Sequence, residues 1–447
     1  MINSRWLKIF GPLLINNRYI GLYLERILSP VVLIWKWCNK SSFNQLSPEI
    51  QNLAGRAITF AGKKTEKPRD IIFVNRFFMQ GQIGGVNFLI ALMAFGLKGR
   101  GHRVRILCES PRPWPVTKFY NGVEIVGIKP RLLFLSHSSP PFYAAWSKAV
   151  ETYLRLIQRE NHNVNVFATI AGLETLGTEM LPSEINSICY LVTDHIIHKF
   201  GIKVKPAKGN RIDKFLNSER AFLMSPRIQI LADSNAIVSD LSSVLSLSDL
   251  SAKATVLYIG WPKNDELFNL ELPIGRIVTC IGSVSFRKGT RTLIDAWLSI
   301  CSDPVLADSY LLICGPTSDD HESESIIMNA PVTSRIKRIK NMSEAEKTFI
   351  LSKTDLVVIP SNYESFGIVG VEAMQQGCQI IASRVGGLSE VLEGVAKFFN
   401  PGASNELAIA IKSVLSGNNL TPSEEILARA EAFNFETMLQ ELEMKLT

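Results

Sequence analysis

Two glutamates, Glu364 and Glu372, stand eight positions apart in the segment Pro360-Ser-Asn-Tyr-Glu364-Ser-Phe-Gly367-Ile-Val-Gly-Val-Glu372-Ala-Met. Along a helix that spacing spans ~12 Å at 1.5 Å per residue. The working carboxyls of a glycoside hydrolase are closer, at ~5–9.5 Å. The pair therefore suits two hydroxyl-binding posts at the ends of a long ligand better than an acid/base dyad: a sugar at one end, a ribose at the other and a diphosphate between them. The stretch Phe366 to Gln376 reads as a helix, so the backbone N–H groups of Ser365, Phe366, Gly367, Ile368 and Val369 lie where a helix N-terminus would receive phosphate. Gly367 lets a ligand approach the backbone closely. A cation is the natural complement to charge building up on a departing diphosphate, and Lys288 and Arg287 are candidates for it.

Such a loop has to be held by a strand before it and a helix after it. From Ile71 onward, short β-branched or apolar runs alternate with amphipathic stretches, the rhythm of doubly wound α/β structure. Strands are expected at Ile71–Asn75, Arg103–Cys108, Val123–Ile128, Val164–Ile170, Ile188–Val192, Ile228–Ile230 and Thr255–Ile259. A second set follows at Arg276–Ile281, Tyr310–Cys314, Ile336–Ile339, Leu356–Ile359, Gln379–Ala382 and Lys397–Phe399. The turn-rich segment from Gly260 to Gly275 makes a plausible hinge between the two sets. This divides the chain into an N-terminal extension (1–70), a first Rossmann-like domain (71–265), a second, donor-binding one (266–420) and a C-terminal helix (421–447), read as continuous from about Ser423 to Leu446.

At 447 residues and 46% hydrophobic, the chain can fill two cores without staples. Its seven cysteines are scattered and include no C-x-x-C pair, which favours small buried hydrophobes in a reducing compartment over a metal or redox motif. The net charge of +7 is unevenly placed: residues 1–70 hold 11 Lys and Arg against 4 Asp and Glu, and the remainder balances. That argues against a basic nucleic-acid groove on the folded domains. In the leader, Trp6, Trp35 and Trp37 mingle with Arg5, Lys8, Arg18, Arg26, Lys36 and Lys40, while Pro12, Arg18, Glu25, Arg26 and Pro30 interrupt every candidate transmembrane window. Interfacial docking on an anionic inner leaflet is the expectation, which would make the protein cytoplasmic and peripheral on the membrane. Simple packing of this stretch on the body is the alternative.

Together, Ser361-Asn-Tyr-Glu364-Ser-Phe-Gly367 with Glu372-Ala-Met and Gly386-Gly-Leu-x-Glu390 closely resemble the signature of glycosyltransferase family 4, the retaining GT-B enzymes. Gly84-Gly85-Val-Asn87, Gly101-His102-Arg103-Val104, Ala232-Asp233 to Ser239, Glu266-Leu-Phe268, and Ile281-Gly282 through Lys288-Gly289 resemble further family motifs in order. The resemblance covers residues 71 to about 415. It implies a GT-B fold and a hexosyltransferase using a nucleoside-diphosphate sugar and a glycan or lipid-linked acceptor, as in lipopolysaccharide or capsule synthesis. It also implies that Glu364 contacts the transferred sugar, that the Phe366–Val369 backbone holds sugar and diphosphate, that Glu372 holds the ribose and that Lys288 neutralises the diphosphate. Gly84 and Gly85 would meet donor phosphate or acceptor, and His195 would stand on the acceptor side. The family usually carries Arg where this chain has Ser283, leaving Arg287 or Arg291 to supply a second cation. No D-x-D triplet occurs, so no cofactor and no metal are expected. The rival expectations are a GT-B epimerase or phosphorylase, and an inactive nucleotide-sugar-binding scaffold of a polysaccharide assembly complex.

Overall fold

The computed structural model describes residues 46–76, 78, 85–110, 115–128, 140–160, 164–169, 187–192, 220, 223–226, 228–264 and 268–446. The sequence folds into two sheets, each in the half of the chain where alternation had placed its strands. The first has the order β3-β4-β2-β1-β5-β6-β7-β8. Its strands are β1 (Asp70–Val74), β2 (Arg103–Glu109), β3 (Val116–Tyr120), β4 (Val123–Ile128), β5 (Val164–Thr169), β6 (Ser187–Val192), β7 (Ile228–Ala232) and β8 (Ala254–Val256). All neighbours run parallel except β3, which pairs antiparallel with β4 at the edge. The second sheet is parallel throughout, in the order β11-β10-β9-β12-β13-β14. It comprises β9 (Arg276–Ile281), β10 (Ser309–Cys314), β11 (Ile336–Ile339), β12 (Leu356–Ile359), β13 (Gln379–Ser383) and β14 (Ala396–Phe399). Its central strands are near-continuous apolar runs, as helices on both faces require; every residue of β12 is buried.

The helices are α1 (Pro48–Thr59), α2 (Gly85–Gly99), α3 (Pro140–Glu160), α4 (Asn235–Leu245), α5 (Leu250–Lys253), α6 (Thr290–Ile300), α7 (His321–Met328), α8 (Glu344–Ser352), α9 (Ile368–Gln375), α10 (Gly386–Val391), α11 (Ser404–Leu415), α12 (Ser423–Ala430) and α13 (Phe435–Lys445). Two expectations need correction. The C-terminal helix is not continuous: a 3-10 turn at Glu431–Phe433 ends α12, and Asn434 caps a new helix by accepting from the Thr437 N–H. That break lets α13 return to the first domain, where Phe435, Met438, Leu439 and Leu442 share one buried core with α2. Glu443 fixes the return, taking hydrogen bonds from Arg100 at 2.8 Å and His102 at 2.6 Å. The strand expected at Thr255–Ile259 is shorter and earlier, and beyond it Leu257, Ile259 and Trp261 become buried crossing pieces.

Part of the basic extension belongs to the body. In α1, Ile50, Leu53, Ala54 and Ala57 are buried against α2, and burying each large aliphatic side chain contributes about 1.5–3 kcal/mol. The Arg56 guanidinium donates to the carbonyls of Pro262 and Lys263 in the linker between the sheets. The expected leaflet-docking segment falls on residues 1–45, outside the described residues. Among the described residues no helix is long and apolar enough to cross a membrane, and Cys108, Cys280, Cys314 and Cys378 are buried free thiols.

Candidate active site

Strand order places the site. After β9 the chain goes outward to β10 on one side, whereas β12 lies on the other. The crevice between the carboxyl ends of β9 and β12 is the switch point at which open α/β sheets bind ligands. The β9 loop delivers Arg287 and Lys288, the β12 loop Glu364, and the β13 loop opens α10.

These loops are pressed together. Gly289 caps α6 at φ 63°, and a Cβ there would lie 1.9 Å from the Pro360 carbonyl oxygen. A Cβ on Gly387 would sit 1.8 Å from the Ser365 carbonyl oxygen. The Asn362 N–H donates to the Arg287 carbonyl at 2.8 Å, and its side-chain amide to the Phe286 carbonyl at 2.6 Å. As a result, the Lys288 ammonium stands 2.5 Å from Glu364 Oε2, and Arg287 Nη1 3.6 Å from Oε1. Burial raises the Glu364 pKa, but the charges of Lys288 and Arg287 and hydrogen bonds from Lys288 and Ser361 outweigh it, holding the carboxyl below its usual range. A site that keeps a mostly buried carboxylate ionised beside two cations can accept sugar hydroxyls and neutralise phosphate at once.

The helix after this loop is shorter than expected. It starts at Ile368, with Gly367 as its N-cap at φ 101°, so Glu364 lies in the loop and only Glu372 is helical. The straight-helix spacing therefore does not apply to the pair. Phe366 contributes its backbone to the loop while its ring is buried against Tyr258 and Phe433, with centroids 6.3 and 5.6 Å away. Glu372 points toward α8, where Lys347 holds its Oε1 at 2.6 Å. Burial raises the Glu372 pKa, the Lys347 charge opposes this and Glu344 adds to it, for a net rise.

Arg291 turns out to be engaged elsewhere, with Asp295 at 2.9 Å and Glu322 at 2.7 Å, so of the two candidates for a second cation it is Arg287 that reaches Glu364. Ser283 Oγ meets Ser285 Oγ at 3.2 Å. Gly85 opens α2 at the carboxyl edge of β1; Gly84 and His195 lie outside the described residues.

Residues of the first domain that sequence reasoning did not single out close the site from the other side. Ser234 donates to the Ser365 carbonyl at 2.7 Å. Glu390 of α10 accepts from the backbone N–H groups of Asn235 and Ala236 at the start of α4, from the Asn235 side chain at 2.6 Å and from the Tyr258 hydroxyl at 2.5 Å. Burial, then Glu390, pushes the Tyr258 hydroxyl up to about 12, so at neutral pH it donates. Asp233 is fully buried beneath this seam. Burial, with Glu364 and Glu390 adding, raises its pKa well above the carboxylate range against the hydroxyls of Ser365 and Ser234. Only the Ser234 position, following a strand and preceding a helix, carried a cap signal that could have flagged this face.

Comparison with known proteins agrees with the geometry. Residues 268–430 match the family described as glycosyl transferases group 1. An uncharacterized glycosyltransferase of Methanocaldococcus jannaschii is 22% identical over 70% of this chain and 79% of its own length. An O-antigen chain mannosyltransferase of Salmonella typhimurium is 29% identical over 25% of this chain, and that match spans 32% of its own length. Among solved structures, sucrose-phosphate synthase from Thermosynechococcus elongatus superposes with a TM-score of 0.68 over 84% of this chain and 98% of that one, at 20% identity. Residues 268–430 thus carry a group 1 glycosyl transferase region, and the chain is a transferase enzyme of the GT-B fold, a glycosyltransferase.

Proposed function

We propose that the protein is a retaining, family 4 hexosyltransferase that moves a sugar from a nucleoside diphosphate to a glycan or lipid-linked acceptor. The observation that carries this reading is the Lys288–Glu364 pair, backed by Arg287, at the carboxyl-end crevice of β9 and β12. In this reading Glu364 accepts hydroxyls of the transferred sugar, and the N–H groups of Gly367, Ile368 and Val369 face the diphosphate at the start of α9. Lys288 and Arg287 take up the charge that grows on the leaving phosphate. Glu372 receives the ribose. Gly84, Gly85 and His195 are assigned to the opposite, acceptor-facing side.

Transfer breaks the bond between the anomeric carbon and the phosphate oxygen, and the acceptor hydroxyl bonds to that carbon on the same face. Its proton passes to the departing phosphate oxygen, so no protein nucleophile is needed. With two side-chain cations on the diphosphate, no metal is required. The scaffold alternative drew on Ser283, and Arg287 beside Glu364 supplies the cation whose loss motivated it. The acceptor class draws support from the local likeness to an O-antigen enzyme.

The test is a panel of UDP-, GDP- and ADP-sugars with glycan and glycolipid acceptors, with and without EDTA. One donor should turn over with unchanged anomeric configuration and undiminished rate in EDTA. Binding without turnover across the panel would favour the scaffold, and inversion or strict metal dependence would overturn the mechanism.

A further inference from the structure

The donor end of α9 is tied to a line of alternating charges that the proposed transfer step does not use. Glu372 Oε1 meets Lys347 at 2.6 Å, Lys347 meets Glu344 at 2.9 Å, and Glu344 lies 3.7 Å from Arg56 of α1. All four side chains are at least 86% buried. Arg56 in turn donates to the linker carbonyls of Pro262 and Lys263. Lys347 also stands over the ring of linker residue Trp261, 5.7 Å from its centroid, and Gln375 at the end of α9 donates to the Trp261 carbonyl at 2.8 Å. One oxygen stands out: Glu372 Oε2 is buried and accepts no hydrogen bond among the described residues.

A buried carboxylate oxygen without a donor costs free energy. A chain that retains one beside a phosphate-binding helix start has kept an acceptor for a ligand. We propose that Lys347 is a positioning residue for the donor: by clamping Glu372 Oε1 it aims Oε2 at the vicinal hydroxyls of the nucleotide ribose. This rests on the reading of Glu372 as the ribose post and adds the residue that sets its direction. The ammonium is suited to the task because it enters from α8, whose first turn is fixed by the Ser343–Glu346 capping box, and is held from behind by Glu344. Removing it would leave Glu344 and Glu372 as neighbouring buried acids, free to turn away or take up a proton. The same line reaches the linker through Arg56, so the ribose end of the donor site and the interdomain crossing share one scaffold.

The test is calorimetric binding of UDP, GDP and ADP, followed by the tightest of the three against its 2′-deoxy counterpart, on wild type, Glu372→Gln, Lys347→Met, Lys347→Gln and Lys347→Arg. Wild type should favour the ribonucleotide by about tenfold, the worth of one well-made hydrogen bond to a charged group. Lys347→Met and Lys347→Gln should cut that preference to about twofold or less, as Glu372→Gln does, while Lys347→Arg restores most of it. Affinity for the deoxynucleotide should stay within about threefold throughout. The two neutral variants are run together, with thermal melts, so that a folding defect in one is recognised from the other. If wild type shows no preference, or Glu372→Gln keeps it, the ribose reading fails and the proposal with it. If Glu372→Gln loses the preference and the neutral Lys347 variants keep it, Glu372 is the post and Lys347 does not position it.

Discussion

At the scale of single residues, the site is made by neighbours setting one another's charge. Glu364 is kept ionised by Lys288 and Arg287, whereas Asp233, a few residues away in space but cut off from any cation, is pushed toward its neutral form. The consequence for stability has a definite sign. A carboxyl whose folded pKa is raised binds its proton in the folded state at a pH where the unfolded chain has released it, so stability falls as pH rises from about 4 up to the folded value. The penalty grows by about 1.4 kcal/mol per pH unit across that window. Asp233→Asn should therefore raise the melting temperature more at pH 7 than at pH 5. Equal shifts at both pH values in thermal melts would show that Asp233 is ionised in the folded protein. Glu364, Glu372 and Lys288 were legible in the sequence because their spacing and company are unusual. Asp233, Tyr258 and Lys347 were not, since each acquires its role from a partner more than 20 positions away that only folding brings close.

At the scale of elements, loops and caps matter more than strands. Val123–Ile128, Arg276–Ile281, Ile336–Ile339 and Leu356–Ile359 have the bounds that their apolar runs suggested, because buried parallel strands leave a continuous apolar trace. The edge strand Val116–Tyr120 escaped notice because its side chains alternate between half-buried and exposed, a weak signal beside the compact runs around it. The break between α12 and α13 escaped for another reason: one asparagine cap, Asn434, redirects the chain without interrupting the helical composition. Glu390 shows how much a cap can carry. Its carboxylate sits on the N-terminus of a helix from the other domain, complementing the dipole there, and adds the Tyr258 hydroxyl. This contact fastens α10, and through Gly387 the Glu364 loop, to α4. Glu390→Ala should lower kcat/KM about tenfold or more, with kcat and KM both affected, as for residues that hold a closed arrangement. Steady-state kinetics with unchanged parameters would show that the seam does not govern the site.

For the whole molecule, two parallel sheets of one architecture face each other across a crevice, and the chain crosses between them twice: at Leu257–Lys263, and again when α13 returns to pack on α2. The two-sheet plan was plain from the alternation of strands and helices, and the hinge from the turn-rich stretch between the sets. The second crossing was not, because nothing local in α13 says which domain its apolar face will meet. In this arrangement a donor held by the second domain is covered by the first, and the chemistry depends on cations in the crevice rather than on a nucleophile. The most direct measurement is therefore release of nucleoside diphosphate by wild type and Lys288→Ala with the best donor and acceptor, at saturating donor, with a thermal melt confirming that the variant is folded. Loss of one preorganised charge-stabilising group typically costs about 10²–10³ in kcat. The account predicts a fall of at least that size in a folded variant; a folded Lys288→Ala enzyme with near wild-type kcat would contradict it.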